Sequence, residues 1–146
     1  MVAQVGKPYS EQVPERFGPE VFDCSGLVWA AANSVGDALP GGPTNDAAAL
    51  VPYEMQWFAG QPGVQLITDA AEVEAGDLLA FTGGDPAPFE VVLQGHVFPA
   101  GQFGHIGMAT SPTEYVSAYD TADGVCYKPI AGDVFNAALR LTPALL

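Results

Sequence analysis

The stretch Phe22-Asp23-Cys24-Ser25-Gly26-Leu27-Val28-Trp29 constrains this chain more than any other. Leu27, Val28, Ala31, Ala32 and Val35 follow Cys24 at helical spacing, so the cysteine shares their apolar face. Asp23 stands where an N-cap belongs, and Gly36 where a helix stops. Cys24 therefore falls in the first helical turn, on the side turned to the core. The positive end of the helix dipole and the unpaired N–H groups there lower a thiol's pKa toward thiolate. The small neighbours Ser25 and Gly26 leave room for a substrate at the sulfur. A buried cysteine on an amphipathic helix has the same pattern, and that is the commoner fate of a lone cysteine. The helix by itself leaves both readings open.

A cysteine nucleophile needs a base, usually a histidine from elsewhere in the fold. Only His96 and His105 are available. His105 heads the strand-like run His105-Ile106-Gly107-Met108-Ala109, where alternation puts it on one face with Gly107 and Ala109. Small residues on that face leave space for the Cys24 helix, so His105 ranks above His96, which lies in an irregular insert. A third group orients the imidazole by accepting from its other nitrogen, and the candidates are Ser117, Asp120 and Asp123. Asp120 is the strongest acceptor of the three. Two histidines, with no paired cysteines or carboxylates at ligand spacing, do not make a metal site. No phosphate-binding glycine loop is present, and no cofactor is expected.

The remaining chain supplies a frame for these residues. Its 146 residues suit a single domain, 1–146, with a sizeable core, and about half of them are apolar. Residues 1–21 carry several prolines and read as a short turn or helix and then a loop. Asp37–Pro43 reads as a second loop. Thr44 or Asn45 caps a second helix over Asp46–Val51, with Pro52 kinking or restarting it through Tyr53–Phe58. Strands follow over Leu78–Phe81, Val91–Leu93, His105–Thr110, Glu114–Tyr119, Val125–Ile130 and Val134–Leu141. Helices first and an antiparallel meander afterwards make an α+β domain with its helices on one face of the sheet. The Gly- and Pro-rich insert between Phe81 and His105 reads as a mobile loop.

Charge and segment length exclude several partner classes. Acids outnumber bases 17 to 4, which disfavours nucleic acid and anionic membranes. No apolar run approaches the ~20 residues of a membrane span. The N-terminus lacks the basic and then apolar blocks of a signal peptide, so the chain is expected either not to leave by that route or to be a piece of something larger. Cys24 must be free if it is a nucleophile. Cys126 then reads as a small hydrophobe in a strand.

Asp23-Cys24-Ser25-Gly26-Leu27-Val28, Gly76-Asp77-Leu78 and Gly104-His105-Ile106-Gly107-Met108 together resemble the NlpC family of papain-like cell-wall peptidases. Gly6-Lys7-Pro8-Tyr9 resembles that family's G-x-P-Y segment, and Leu39-Pro40 followed by Thr44 its L-P-R-T loop. The resemblance runs from about Gly6 to Ile130. It implies a papain-like fold, Cys24 as nucleophile and His105 as base. It also implies an oxyanion or substrate-binding role for Tyr9, Asp23 and Ser25. The polar third residue of the family falls at Ser117, twelve positions after His105, where the family usually has His, Asn, Glu or Gln. Asp120 is favoured here because it carries charge. The Trp-Gly-Gly usual after the tyrosine is replaced by Ser10-Glu11-Gln12, and the insert before His105 is longer than usual.

The activity implied is hydrolysis of an amide bond in a peptidoglycan stem peptide, usually between D-glutamate and the next diamino acid. The chain then acts on the cell wall, as an excised catalytic domain or as a phage lysin or tail-associated enzyme. A separate wall-targeting domain or partner would offset its acidic surface. The same fold also serves amidases and acyltransferases on small molecules or lipids. A non-catalytic interaction module is the remaining alternative.

Overall fold

A computed structural model describes residues 1–36, 39–43 and 50–142. Helix α1 spans Cys24–Ser34 and α2 spans Val51–Ala59. Eight strands follow: β1 (Gln65–Ile67), β2 (Leu78–Thr82), β3 (Val91–Leu93), β4 (His96–Phe98), β5 (His105–Ala109), β6 (Glu114–Ala118), β7 (Val125–Pro129) and β8 (Val134–Arg140). Six of them form one antiparallel sheet in the order β1-β8-β2-β5-β6-β7, and β3 pairs with β4 as a separate hairpin. No helix among the described residues is long and apolar enough to cross a membrane.

The expected α+β class holds, with α1 packed on β5 and β6 and α2 on β3 and β8. Asp23 caps α1, its Oδ1 accepting from the Gly26 amide at 2.7 Å, and Gly36 turns the chain away at φ +90°. Helix α2 begins at Val51 with Pro52 in its first turn, where a missing N–H costs nothing. The expected cap at Thr44 or Asn45 and the helical residues Asp46–Ala49 lie outside the described residues.

Two strands escaped sequence reading. The three residues of β1 are too few to show a period, and they exist as a strand only by pairing with β8. The second is β4, whose His96 was assigned to irregular chain. His96 is exposed there, its ring centroid 4.6 Å from that of Phe98. The insert is accordingly a folded hairpin rather than a loose loop. Its inner residues Ala87, Val91, Leu93, Phe98 and Phe103 belong to the main core together with α1, α2, β2 and β8. Alternation along strands as short as Val91–Leu93 carries little signal, which is why composition misled here.

Polar ties hold both ends of that insert. Asn136 on β8 accepts from the Phe103 amide at 3.0 Å and donates to Thr82 Oγ1 at 2.9 Å. Gly104 lies so close to Gly83 that a Cβ would strike the Gly83 carbonyl. His105, the next residue, thus starts β5 from an anchored point. In the Gly76-Asp77-Leu78 turn, Asp77 is buried and takes a two-pronged bond from Arg140, Nε at 3.1 Å and Nη2 at 2.9 Å. The aspartate of that motif is a structural pin joining β2 to β8.

Candidate active site

Cys24 is the first residue of α1, and its thiol is free, as is that of Cys126 on β7. The backbone N–H groups of Ile106 and Ser25 lie near enough to the sulfur to favour its ionised form. Cys24 therefore lies against the start of β5, the strand that His105 heads. Ile106 packs in the main core with Cys24 and Val28. The small-residue face of β5 was expected to receive α1, but it faces the other way. A Cβ on Gly107 would come within 2.6 Å of Tyr115 Cδ2 and 3.0 Å of Ser117 Cβ. Gly107 is small because β6 side chains cross over it.

His105 is 9% exposed, and its Nε2 lies 3.0 Å from Ser117 Oγ. The imidazole stands among three rings: Phe81 on β2 at 6.1 Å, Tyr115 at 6.0 Å and Tyr119 at 5.3 Å between centroids. Ser117 thus engages Nε2, the nitrogen that the expected third residue was to hold. The favoured expectation of Asp120 on the ring is not met. Asp120 Oδ1 instead accepts from the Asp123 amide at 2.7 Å, closing the turn between β6 and β7. That turn keeps the carboxylate on its own backbone, whereas Ser117 projects from β6 alongside β5.

Burial governs the protonation of both groups. It pushes the Cys24 thiol up to about 12, with the Asp23 carboxylate adding to the rise and the Ile106 amide opposing it. It pushes the His105 imidazole down to about 4, against the charges of Asp133 and Asp120. The thiolate expected from the helix terminus is therefore not the resting form. Burial thus favours a neutral thiol and a neutral imidazole at neutral pH, because water-poor surroundings disfavour both charges.

Tyr9, Asp23 and Ser25 lie where the chain enters α1. The segment Gly6–Ser10 is bonded to β7 through Gly6 and Lys7 and to Phe22 through Pro8 and Ser10. Tyr9 is thereby held near Cys24 and Asp23, and its hydroxyl donates to Glu11 Oε1 at 2.8 Å. Burial raises the Tyr9 phenol, which stays neutral. Asp23 Oδ1 and Ser25 Oγ both accept from Arg16 Nη1, at 2.8 and 2.9 Å. Ser25 is thus buried and engaged internally. Gly26 is small because the Arg16 carbonyl crosses against it. Neither residue is small to admit a substrate.

Two residues of this region were missed in the sequence. Arg16 is 2% exposed, and its guanidinium also lies 4.0 Å from the Phe17 ring centroid. Its one advance signal was scarcity, since only four cations serve the whole chain. Glu54 on α2 is 1% exposed and neither carboxyl oxygen has a hydrogen-bond partner. Helical spacing among Val51, Met55 and Phe58 was the available clue, because Glu54 falls on the same buried stripe.

Desolvation raises the Glu54 carboxyl well above its ordinary 4.5, so the fold keeps it neutral where the unfolded chain ionises. Stability is then lost as pH climbs above the unfolded value, by up to about 1.4 kcal/mol per pH unit. Glu54→Gln removes that dependence. Urea denaturation should find the variant more stable than the parent at pH 8, with the difference closing toward pH 4. A difference that stays constant with pH would mean that Glu54 is ionised in the fold.

Among the described residues no group of three or more His, Cys, Asp or Glu side chains is placed to hold a metal ion. No family model matches the sequence, and no curated protein matches it. Solved structures do match the fold. The chain is similar to NlpC2 from Trichomonas vaginalis at 22% identity and TM-score 0.56, covering 96% of this chain and 43% of that one. It is similar to the NlpC/p60 domain of the peptidoglycan hydrolase SagA at 20% identity and TM-score 0.57, covering 96% and 92%. It is also similar to the P60 domain of antigen MAP1204 from M. avium subspecies paratuberculosis, at 20% identity and TM-score 0.62, covering 96% and 87%. The chain spans less than half the length of NlpC2. The fold is therefore that of the papain-like NlpC/p60 domains.

Proposed function

We propose that this chain is a cysteine peptidase of the NlpC/p60 type, hydrolysing an amide bond in peptidoglycan stem peptides. The observation that supports this reading is the pairing of Ser117 Oγ with His105 Nε2 at the start of β5, the strand against which the helix start with its free Cys24 thiol packs. Residues 1–146 serve as one catalytic domain acting on the cell wall. Cys24 Sγ attacks the scissile carbonyl carbon while His105 takes the thiol proton. The Cys24 amide, at a helical position with no intrahelical acceptor, holds the resulting oxyanion, with Tyr9 alongside. Collapse breaks the C–N bond, and His105 returns its proton to the leaving amine. Water, deprotonated by His105, then cleaves the thioester and restores the thiol. Because the resting pair is neutral, the proton moves with the attack rather than before it.

Digestion of purified peptidoglycan, with products read by mass spectrometry, tests this. A new free amine on the diamino acid and a free carboxyl on the preceding D-glutamate are expected. Intact peptidoglycan at high enzyme concentration would refute the reading. His105→Ala should cut the rate by at least about a hundredfold, the usual worth of general-base help. His96→Ala, on the exposed hairpin, should stay within about threefold of the parent. The reverse ranking would put the hairpin, not β5, in the active site.

A further inference from the structure

His105 must carry positive charge during the reaction, and its hydrogen-bond partner Ser117 is neutral. Behind the ring, Tyr115 and Tyr119 meet it edge-on at 69° and 78°. Both tyrosine hydroxyls donate to one carboxylate. Tyr115 reaches Asp133 Oδ2 at 2.6 Å, and Tyr119 reaches Asp133 Oδ1 at 2.9 Å. Asp133 sits at the turn just before β8, its amide bonded to the Ile130 carbonyl at 3.2 Å. The clamp thus ties β6 to the start of β8 around the imidazole, and Tyr115 is completely buried within it.

We propose that Asp133, gripped by Tyr115 and Tyr119, is a positioning residue for His105: it supplies the negative field that Ser117 lacks and holds the ring with Nε2 on Ser117. Its catalytic consequence rests on the peptidase reading above; its electrostatic consequence does not. The groups around the ring support this choice. From β6 and the turn after it come Tyr115, Tyr119 and Asp120, and from the turn before β8 comes Asp133. From β7 comes Lys128, 4.5 Å from the Tyr119 ring centroid and paired with Asp123 at 2.7 Å, which partly offsets the acids. Of the two carboxylates that favour the charged imidazole, Asp133 acts more strongly than Asp120. A fixed charge helps most where it is held in place before the reaction needs it, and two hydroxyl donors do that for Asp133.

The test compares Asp133→Asn with Asp120→Asn by NMR titration of the His105 ring in the substrate-free protein, together with kcat and KM. Asp133→Asn should move the ring's titration to lower pH by about half to one unit, a threefold to tenfold loss of imidazolium at a given pH. Asp120→Asn should move it less. The upper limb of the curve, between about pH 6 and 4, is sufficient to read the shift. In the peptidase assay kcat falls with little change in KM for Asp133→Asn, and Asp133→Glu recovers part of it. Tyr119→Phe, which removes one leg of the clamp, should shift the titration the same way by less, and it serves if Asp133→Asn does not fold. An unmoved titration in Asp133→Asn, with or without lower thermal stability, overturns the proposal and leaves the carboxylate as a strut. A shifted titration in a protein that hydrolyses no peptidoglycan upholds the coupling and refutes only the peptidase reading.

Discussion

Cys24→Ala should abolish peptidoglycan hydrolysis, a loss of at least about a thousandfold, while circular dichroism and Tm stay near those of the parent. The thiol has no substitute among the described residues, since Cys126 is on β7 and the helix start offers only the buried, Arg16-bound Ser25 hydroxyl. Cys24→Ser should be nearly as inactive, because a hydroxyl ionises far less readily than a thiol. The wild-type thiol itself should react slowly with iodoacetamide at pH 7. Its pKa of about 12 lies above the measuring range, so the rate should climb about tenfold per pH unit from pH 8 to 11. A plateau already at pH 6 would mean a preformed thiolate and a site more open to water than this one. Residual hydrolysis above about a tenth of the parent in either variant would remove Cys24 as nucleophile.

Arg16→Ala should be the most destabilising single change near the site. The side chain is 2% exposed and holds Asp23 at 2.8 Å and Ser25 at 2.9 Å, the residues on either side of Cys24. Removing one partner of a fully buried ion pair costs about 3–5 kcal/mol, and the lower end applies here because Asp23, 13% exposed, keeps its bond to the Gly26 amide. For a domain of this size that corresponds to a Tm lower by about 10 °C or more. The same change loosens the start of α1, so hydrolysis should fall even at temperatures where the variant is folded. Asp23→Ala should cost stability as well, through the lost cap and the loss of a carboxylate partner to the buried Arg16 charge. Calorimetry showing Arg16→Ala within about 2 °C of the parent would mean that water reaches the guanidinium in solution.

These two predictions mark the boundary between local and non-local information. Helix α1 was legible because its signals are local: a cap at Asp23, an apolar period from Leu27 to Ala32, and a glycine stop, although Val35, expected on the same buried face, is 60% exposed just past the helix end. The strands from β5 to β8 were legible within one or two residues for the same reason, each being an apolar run bounded by turn residues. The places of Cys24 at a helix start and His105 at a strand start were legible because each opens an apolar run of the right period. The Cys24 pKa was not legible. Helix position argued for a thiolate, and burial, a property of the whole packing, reversed the sign.

The partner of the imidazole was decided in space as well. Asp120 is the better acceptor in isolation, but its carboxylate closes a turn, and strand register brings Ser117 to Nε2. Glu54 and Asp133 meet the site from distant positions in the chain and Arg16 from the loop just before α1, and nothing in their immediate neighbours announces it. By itself the sequence determined most of the elements and which side chains are candidates for the chemistry, since both follow from residue type and short spacing. Only the tertiary structure decided what surrounds those side chains, because burial, ion pairing and ring contacts are made between segments that the chain order keeps apart.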